Sequence, residues 1–208
     1  FVHYDSNVIV RGTIIHDSSR ALEVFSHSAL WVTEDADVLR DVDTYRPVTM
    51  LSFFWDAALS GRLPWAYHLT NLLVHLGCTL LVYALARRVL APQQRAWAPL
   101  AAAFFGLHPQ LAEAHVWING RSDAFCTLFG IGALLVWDRG CEAQRPRQRL
   151  VAWFGAAVLF LLGLMSKEVL LGLLPAVALW PAREARRASL GSRALSVLPF
   201  VAAALICP

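Results

Sequence analysis

The stretch AYHLTNLLVHLGCTLLVYALARRV, residues 66–89, decides the fold. It carries no charge until Arg87-Arg88. As a helix rising 1.5 Å per residue it would be about 36 Å long, enough to cross a ~30 Å hydrocarbon layer. The rest of the chain reads outward from this first clear span. Upstream, Val48–Leu59 is apolar but short and is interrupted by Asp56, so it predicts a helix lying at the membrane interface with Trp55 and Trp65 at headgroup depth. Residues 1–44 are polar and acidic, an extramembrane segment with a short helix expected around Arg20–Trp31.

Downstream, Trp97–Leu107 is apolar and runs into His108-Pro109, so it spans only if a kinked helix continues toward Ile118. Ala124–Trp137, Leu150–Met165 and Val169–Trp180 follow, and another apolar segment starts near Ala194. The runs flanking Ser166-Lys167-Glu168 are short, roughly 24 and 18 Å as helices. Either flanking arginines snorkel while the bilayer thins, or the Lys167-Glu168 apex lies below the outer surface. One long helix through 150–180 ranks last, because it would bury the charged pair at mid-depth.

The chain is 57% hydrophobic and 16% charged, against about 25% charged for an ordinary soluble domain. Its apolar residues fall into blocks separated by arginine clusters, which means several spans rather than one core. Loops 86–96, 138–150 and 181–193 hold eleven of the eighteen Lys plus Arg. If each block crosses once, these loops share one side, which the positive-inside rule makes cytoplasmic. The acidic N-terminal segment, the His108–Asp123 stretch and Ser166-Lys167-Glu168 then face the other side. A formal charge of +3, so segmented, gives no reason to expect nucleic acid. Cys78, Cys126, Cys141 and Cys207 lack paired spacing and read as free thiols, with neither a disulfide framework nor a zinc signature.

Four polar groups converge on the outer face. Asp5 is followed by Ser6 and Asn7. Tyr45-Arg46-Pro47 is followed by His68, Asn71 and His75, whose spacing puts them on one helical stripe. That stripe reads more readily as a polar seam between helices than as a metal site. His108-Pro109 is followed by Glu113, His115, Arg121 and Asp123, where Arg121 and Asp123 read either as ligand groups or as a structural ion pair. Lys167-Glu168 contains the chain's single lysine, and charges near membrane depth are usually functional. Cations at a membrane boundary suit a lipid-linked phosphate, and a carboxylate beside them suits removal of a proton from an acceptor hydroxyl.

The ordered motifs Tyr45-Arg46-Pro47-Val48, Tyr67-His68-Leu69-Thr70-Asn71, Trp117-Ile118-Asn119-Gly120-Arg121-Ser122-Asp123 and Ser166-Lys167-Glu168 resemble the transmembrane and tetratricopeptide-repeat (TMTC-like) membrane proteins. These are similar to the protein O-mannosyltransferases and other glycosyltransferases of the GT-C fold. The resemblance implies an all-α, polytopic transmembrane helical bundle of GT-C type. It makes 1–65 a large first extracytoplasmic loop with short interfacial helices, and 66–208 a region of about five spans plus a truncated one. It also implies a helix before Phe1, more helices beyond Pro208 and often a repeat array, so the chain reads as a fragment incomplete at both ends.

The activity it implies is inverting transfer of a sugar, typically mannose, from a polyprenyl- or dolichyl-phosphate carrier to Ser or Thr of a secreted or membrane protein. Asp5 stands where such enzymes place the catalytic base, although many relatives carry two adjacent acids there and this chain has Asp5-Ser6. Arg46, His108, Glu113, Arg121, Asp123, Lys167 and Glu168 become the donor phosphate and sugar groups. No cofactor is required, and no ligand set calls for the divalent metal that some GT-C enzymes use. The motif face would be extracytoplasmic: periplasmic in a bacterium, the endoplasmic reticulum lumen in a eukaryote. The rival classes are a transporter or lipid permease, with polar residues spread through the membrane thickness, and a non-catalytic scaffold for a repeat domain.

Overall fold

The structure is a computed structural model that describes residues 12–29, 31, 44–179 and 190–206. Among the described residues every regular element is helical. Packing divides the chain into two units: residues 1–125 with 165–167, and residues 126–164 with 168–208. The boundary drawn from the sequence at residue 65 therefore marks entry into the first long helix, whereas the packing boundary falls further along the chain.

The first unit opens with two 3-10 helices, Ile14–His16 and Ser18–Phe25. Helix α1, Pro47–Ser60, starts on a proline whose fixed φ suits a first helical turn, and ends at Gly61 with φ 57°. At about 21 Å it is too short to cross a bilayer. Its inner face is not free for lipid. Met50, Phe53, Phe54 and Ala57 form a core with Ile14, Ile15, Val24, Ala29, Tyr67 and Ile118. Trp55 and Trp65 remain exposed.

Helix α2, Trp65–Val89, is the span read from the sequence, extended by one residue at its start. Arg87 and Arg88 sit in its last turn, where cations complement the helix dipole. Its faces are inverted relative to a soluble helix. Leu69, Leu72, Leu73, Leu76 and Leu80 are exposed, while Tyr67, Asn71, Val74 and Cys78 are buried at helical spacing. An exposed leucine face on a helix of this length belongs in lipid.

The expected kinked continuation after Trp97–Leu107 does not form. Helix α3, Ala98–Gly106, covers only about 14 Å and stops where Pro109 forces His108 into an extended conformation, φ −69° and ψ 125°. The chain then runs through the 3-10 turn Pro109–Leu111, the short helix α4, Ala112–Val116, and the 3-10 turn Ile118–Gly120. Helix α3 packs on α2 closely enough that a Cβ at Gly106 would lie 3.0 Å from Thr79 Cγ2. His75 Nε2 lies 3.0 Å from the Gly106 carbonyl oxygen, and the His75 ring stacks on Phe105.

Helix α5, Arg121–Glu142, has its first turn in the first unit and the remainder in the second. The second unit adds α6, Pro146–Leu164, a 3-10 turn, Glu168–Gly172, α7, Leu173–Leu179, and α8, Leu190–Ile206. Helix α6 ends before Lys167 and the next element begins after it, so a single helix through 150–180 does not form. Edge-on aromatic contacts tie Trp137 and Phe160 to Phe200, with ring centroids 6.2 and 5.1 Å apart. Three helical stretches, Trp65–Val89, Ile118–Glu142 and Pro146–Leu164, are long and apolar enough to cross a membrane. The loop 181–189, the only part of the third arginine cluster not within α8, and Cys207 lie outside the described residues. Cys78, Cys126 and Cys141 are free thiols.

Candidate functional site

The site is assembled on three consecutive residues that open α5. Arg121 points inward and is fully buried. Its Nε donates to Asn71 Oδ1 at 2.6 Å, Nη1 to Ser52 Oγ at 2.8 Å, and Nη2 to the Tyr67 carbonyl at 2.8 Å. Nη1 also lies 2.5 Å from Asp56 Oδ2. That contact does not align as a hydrogen bond and acts through charge. The guanidinium carbon stands 4.7 Å from the centre of the Phe53 ring. Asp56 is equally buried, and its Oδ1 accepts from Thr70 Oγ1 at 2.7 Å. Asn71 completes the set by donating to the carbonyls of Trp117 and Ile118. One ion pair thus fastens α1, α2 and the start of α5 together.

The next two residues reach the two cations. Ser122 Oγ accepts from Arg46 Nη1 at 3.4 Å. Asp123 Oδ1 pairs with Lys167 Nζ at 2.6 Å, the lysine side chain 25% and the aspartate 50% exposed. The Val48 amide donates to the Met165 carbonyl at 3.4 Å, fixing residues 165–167 against the start of α1. Arg46, Ser122, Asp123 and Lys167 therefore come together within the first unit, although the first and last are 121 positions apart. Arg46 Nε and Thr49 Oγ1, both shielded from solvent, have no hydrogen-bond partner among the described residues.

This arrangement revises the sequence reading in one respect. The ion pair considered between Arg121 and Asp123 is replaced by two others, Arg121 with Asp56 and Lys167 with Asp123. Of the predicted stripe, Asn71 and His75 lie in a polar seam, Asn71 toward Arg121 and His75 toward Gly106, while His68 is exposed. His108 caps the 3-10 turn that follows it, its Nδ1 accepting from the Gln110 amide at 3.3 Å, and its ring meets Phe104 edge-on. Glu168 is exposed where the chain re-enters the second unit. The backbone of Glu113 and His115 belongs to α4, but their side chains lie outside what is described, as does Asp5 entirely. Among the described residues no three His, Cys, Asp or Glu side chains gather as metal ligands do.

Asp56 is the functional group that the motifs miss. Its one signal in the sequence is an acid interrupting an otherwise apolar stretch, which calls for a buried partner without saying which.

Residues 50–208 match the family described as dolichyl-phosphate-mannose-protein mannosyltransferase. The chain is similar to protein O-mannosyl-transferase Tmtc2 of Drosophila melanogaster, 31% identical over 212 residues that cover 100% of this chain and 22% of the relative. It is 34% identical to protein O-mannosyl-transferase TMTC2 of Homo sapiens over 111 residues, 53% of this chain and 13% of the relative. With protein O-mannosyl-transferase TMTC3 of Homo sapiens it shares 27% over 139 residues, 67% of this chain and 15% of the relative. The chain thus spans less than a quarter of the length of these curated relatives. No solved structure matches it.

Proposed function

The chain belongs to the dolichyl-phosphate-mannose-protein mannosyltransferase family, and from that premise we propose that it forms part of a membrane enzyme transferring mannose from a polyprenyl- or dolichyl-phosphate carrier to a Ser or Thr hydroxyl of an extracytoplasmic protein. The observation that carries this reading is the meeting of Arg46 and Lys167 on the first turn of α5. Two cations at the head of the membrane-length helix α5, each held through one of its side chains, suit the phosphate of a lipid carrier. Arg46 retains donor capacity, because its bond to Ser122 is long and its Nε is unpaired.

In the proposed reaction Asp5 removes the proton from the acceptor hydroxyl as its oxygen attacks the anomeric carbon of the sugar. The bond from that carbon to the phosphate oxygen breaks, and its electron pair leaves with the lipid phosphate. Attack from the face opposite the leaving group inverts the anomeric centre. Arg46 and Lys167 stabilise the charge that develops on the phosphate. Asp123 holds the Lys167 ammonium in place, and Arg121 supports the site from beneath through its buried pair. His108, Glu113 and Glu168 are assigned to positioning the sugar and its phosphate. The chain crosses the membrane several times, the arginine loops facing the cytoplasm and these residues the opposite side.

The test is transfer from labelled polyprenyl-phosphate mannose in membranes containing the full-length parent protein, wild type against Asp5→Asn, with the product's anomeric configuration determined. Transfer with inversion by the wild type and none by an inserted Asp5→Asn protein is expected. An active Asp5→Asn protein would remove the base assignment, and retention of configuration would remove the direct displacement.

A further inference from the structure

Arg121, Ser122 and Asp123 are adjacent in sequence but face different partners. The first is locked into the interior, while the second and third hold Arg46 and Lys167. A residue that fixes Arg121 therefore fixes the rotation of the first turn of α5, and with it where Ser122 Oγ and the Asp123 carboxylate stand. Asn71 and the Tyr67 carbonyl take two of the guanidinium nitrogens, and both lie on α2. The third, Nη1, is taken from α1, by Asp56 and by Ser52. Arg46 immediately precedes that helix.

We propose that Asp56 is a positioning residue for the cation pair: its buried carboxylate sets the rotation of the α5 first turn relative to α1 and so the placement of Arg46 and Lys167. Its value for catalysis rests on the reading of those two cations as the phosphate-binding groups; its geometric content does not. Three observations carry it. Asp56 pairs with Arg121, and both are fully buried. Its second oxygen is anchored to α2 through Thr70, so it cannot follow a moving guanidinium without breaking that bond. Arg121 and Asp123 are two residues apart, so their side chains point in well-separated directions around the helix, and a small roll of the turn swings Asp123 away from Lys167.

Because Lys167 is the one lysine of this chain, its ammonium offers a readout independent of sugar transfer. The full-length parent is purified in micelles, the monodisperse folded fraction is treated with an amine-acylating ester, and peptide mass spectrometry follows modification of Lys167. Asp123→Asn, which removes a direct partner, sets the upper reference, a rate increase of up to about fivefold for an ion pair of this exposure. Asp56→Asn is expected to approach that increase, and Asp56→Glu to fall between it and wild type. Ser52→Ala, which removes one acceptor from Arg121 but leaves the pair, is expected to give a smaller increase in the same direction. If Asp56→Asn gives no folded fraction, Ser52→Ala decides alone. Wild-type labelling of Lys167 in the folded variants would overturn the proposal, whether or not the parent transfers mannose.

Discussion

The contacts described in the two units differ in kind. In the first, the inward face of α2 presents Asn71 and the Tyr67 carbonyl to a buried arginine whose charge is matched by Asp56. In the second, close apolar packing among the described residues stands beside the buried Asp138. Trp137 and Phe160 close on Phe200, and Leu170 occupies a slot that exists because Gly130 and Gly163 lack side chains. Lipid offers helices little hydrophobic reason to associate, so polar bonds and close packing of small residues are the two available devices. The candidate site stands on the polar device. An ion pair with several hydrogen bonds fixes direction as well as distance, whereas a glycine slot fixes only distance.

The sharpest way to break this contrast is to remove one charge of the buried pair. Asp56→Ala leaves the Arg121 guanidinium buried without its counterion, and a loss of about 3–5 kcal/mol in folding stability is expected. The double variant Asp56→Leu with Arg121→Met removes both charges and should recover most of that stability, since an apolar replacement of similar volume is often neutral or better. Thermal unfolding in micelles checks both. If Asp56→Ala costs no more than an ordinary surface change, the pair is not holding the three elements together. If the double variant regains stability and also full sugar transfer, the pair is dispensable to the site, and only the steric device matters.

The steric device is tested by filling its slot. A Cβ on Gly163 would overlap Leu170 Cδ2 and lie 3.3 Å from Phe129 Cβ, and only the leucine end can swing away. Gly163→Ala should therefore destabilise by about 1–3 kcal/mol, less up to about 1 kcal/mol gained from the better helix former. Combining it with Leu170→Ala should make the two changes strongly non-additive, because the second removes the atom the first strikes. Additive unfolding data would mean that Leu170 does not occupy the slot.

The same contrast explains what the sequence could and could not tell. The α2 span and the short α1 were legible, because apolar length and charged interruptions are local signals. The all-α membrane class followed from the same signals. The break after α3 was half legible: His108-Pro109 forecast a kink, but not that the chain would lose its helix for a 3-10 turn and a single short helix before α5. Partner choice was not legible. Arg121 has Asp123 two residues away and takes Asp56 instead, sixty-five positions back, because the helix directs the two neighbours to different faces. Spacing alone also hid Leu170, whose glycine slot joins two positions that no local pattern links.

The smallest effect expected lies in the 3-10 helix Ser18–Phe25. Asp17 caps the 3-10 helix Ser18–Phe25, its Oδ1 accepting from the Ser19 amide at 3.1 Å and from Ser19 Oγ at 2.6 Å. The hydroxyl bond, then the amide bond, hold its carboxyl below the ordinary aspartate value, despite full exposure. A carboxyl with a lowered folded pKa contributes stability above its unfolded value, and that contribution fades as pH falls through the folded value. Order in residues 18–25 should accordingly weaken on acidification below about pH 4, the ordinary aspartate range. Amide protection at Ser19 and Arg20, exchange relative to the intrinsic rate at each pH, reports it locally. Asp17→Ala should raise their exchange at neutral pH and remove the acid dependence, while leaving Lys167 labelling unchanged, because neither device of the membrane units passes through this cap. Protection in the wild type, taken relative to the intrinsic exchange rate at each pH, that does not change on acidification would mean that the Asp17 cap does not hold this turn.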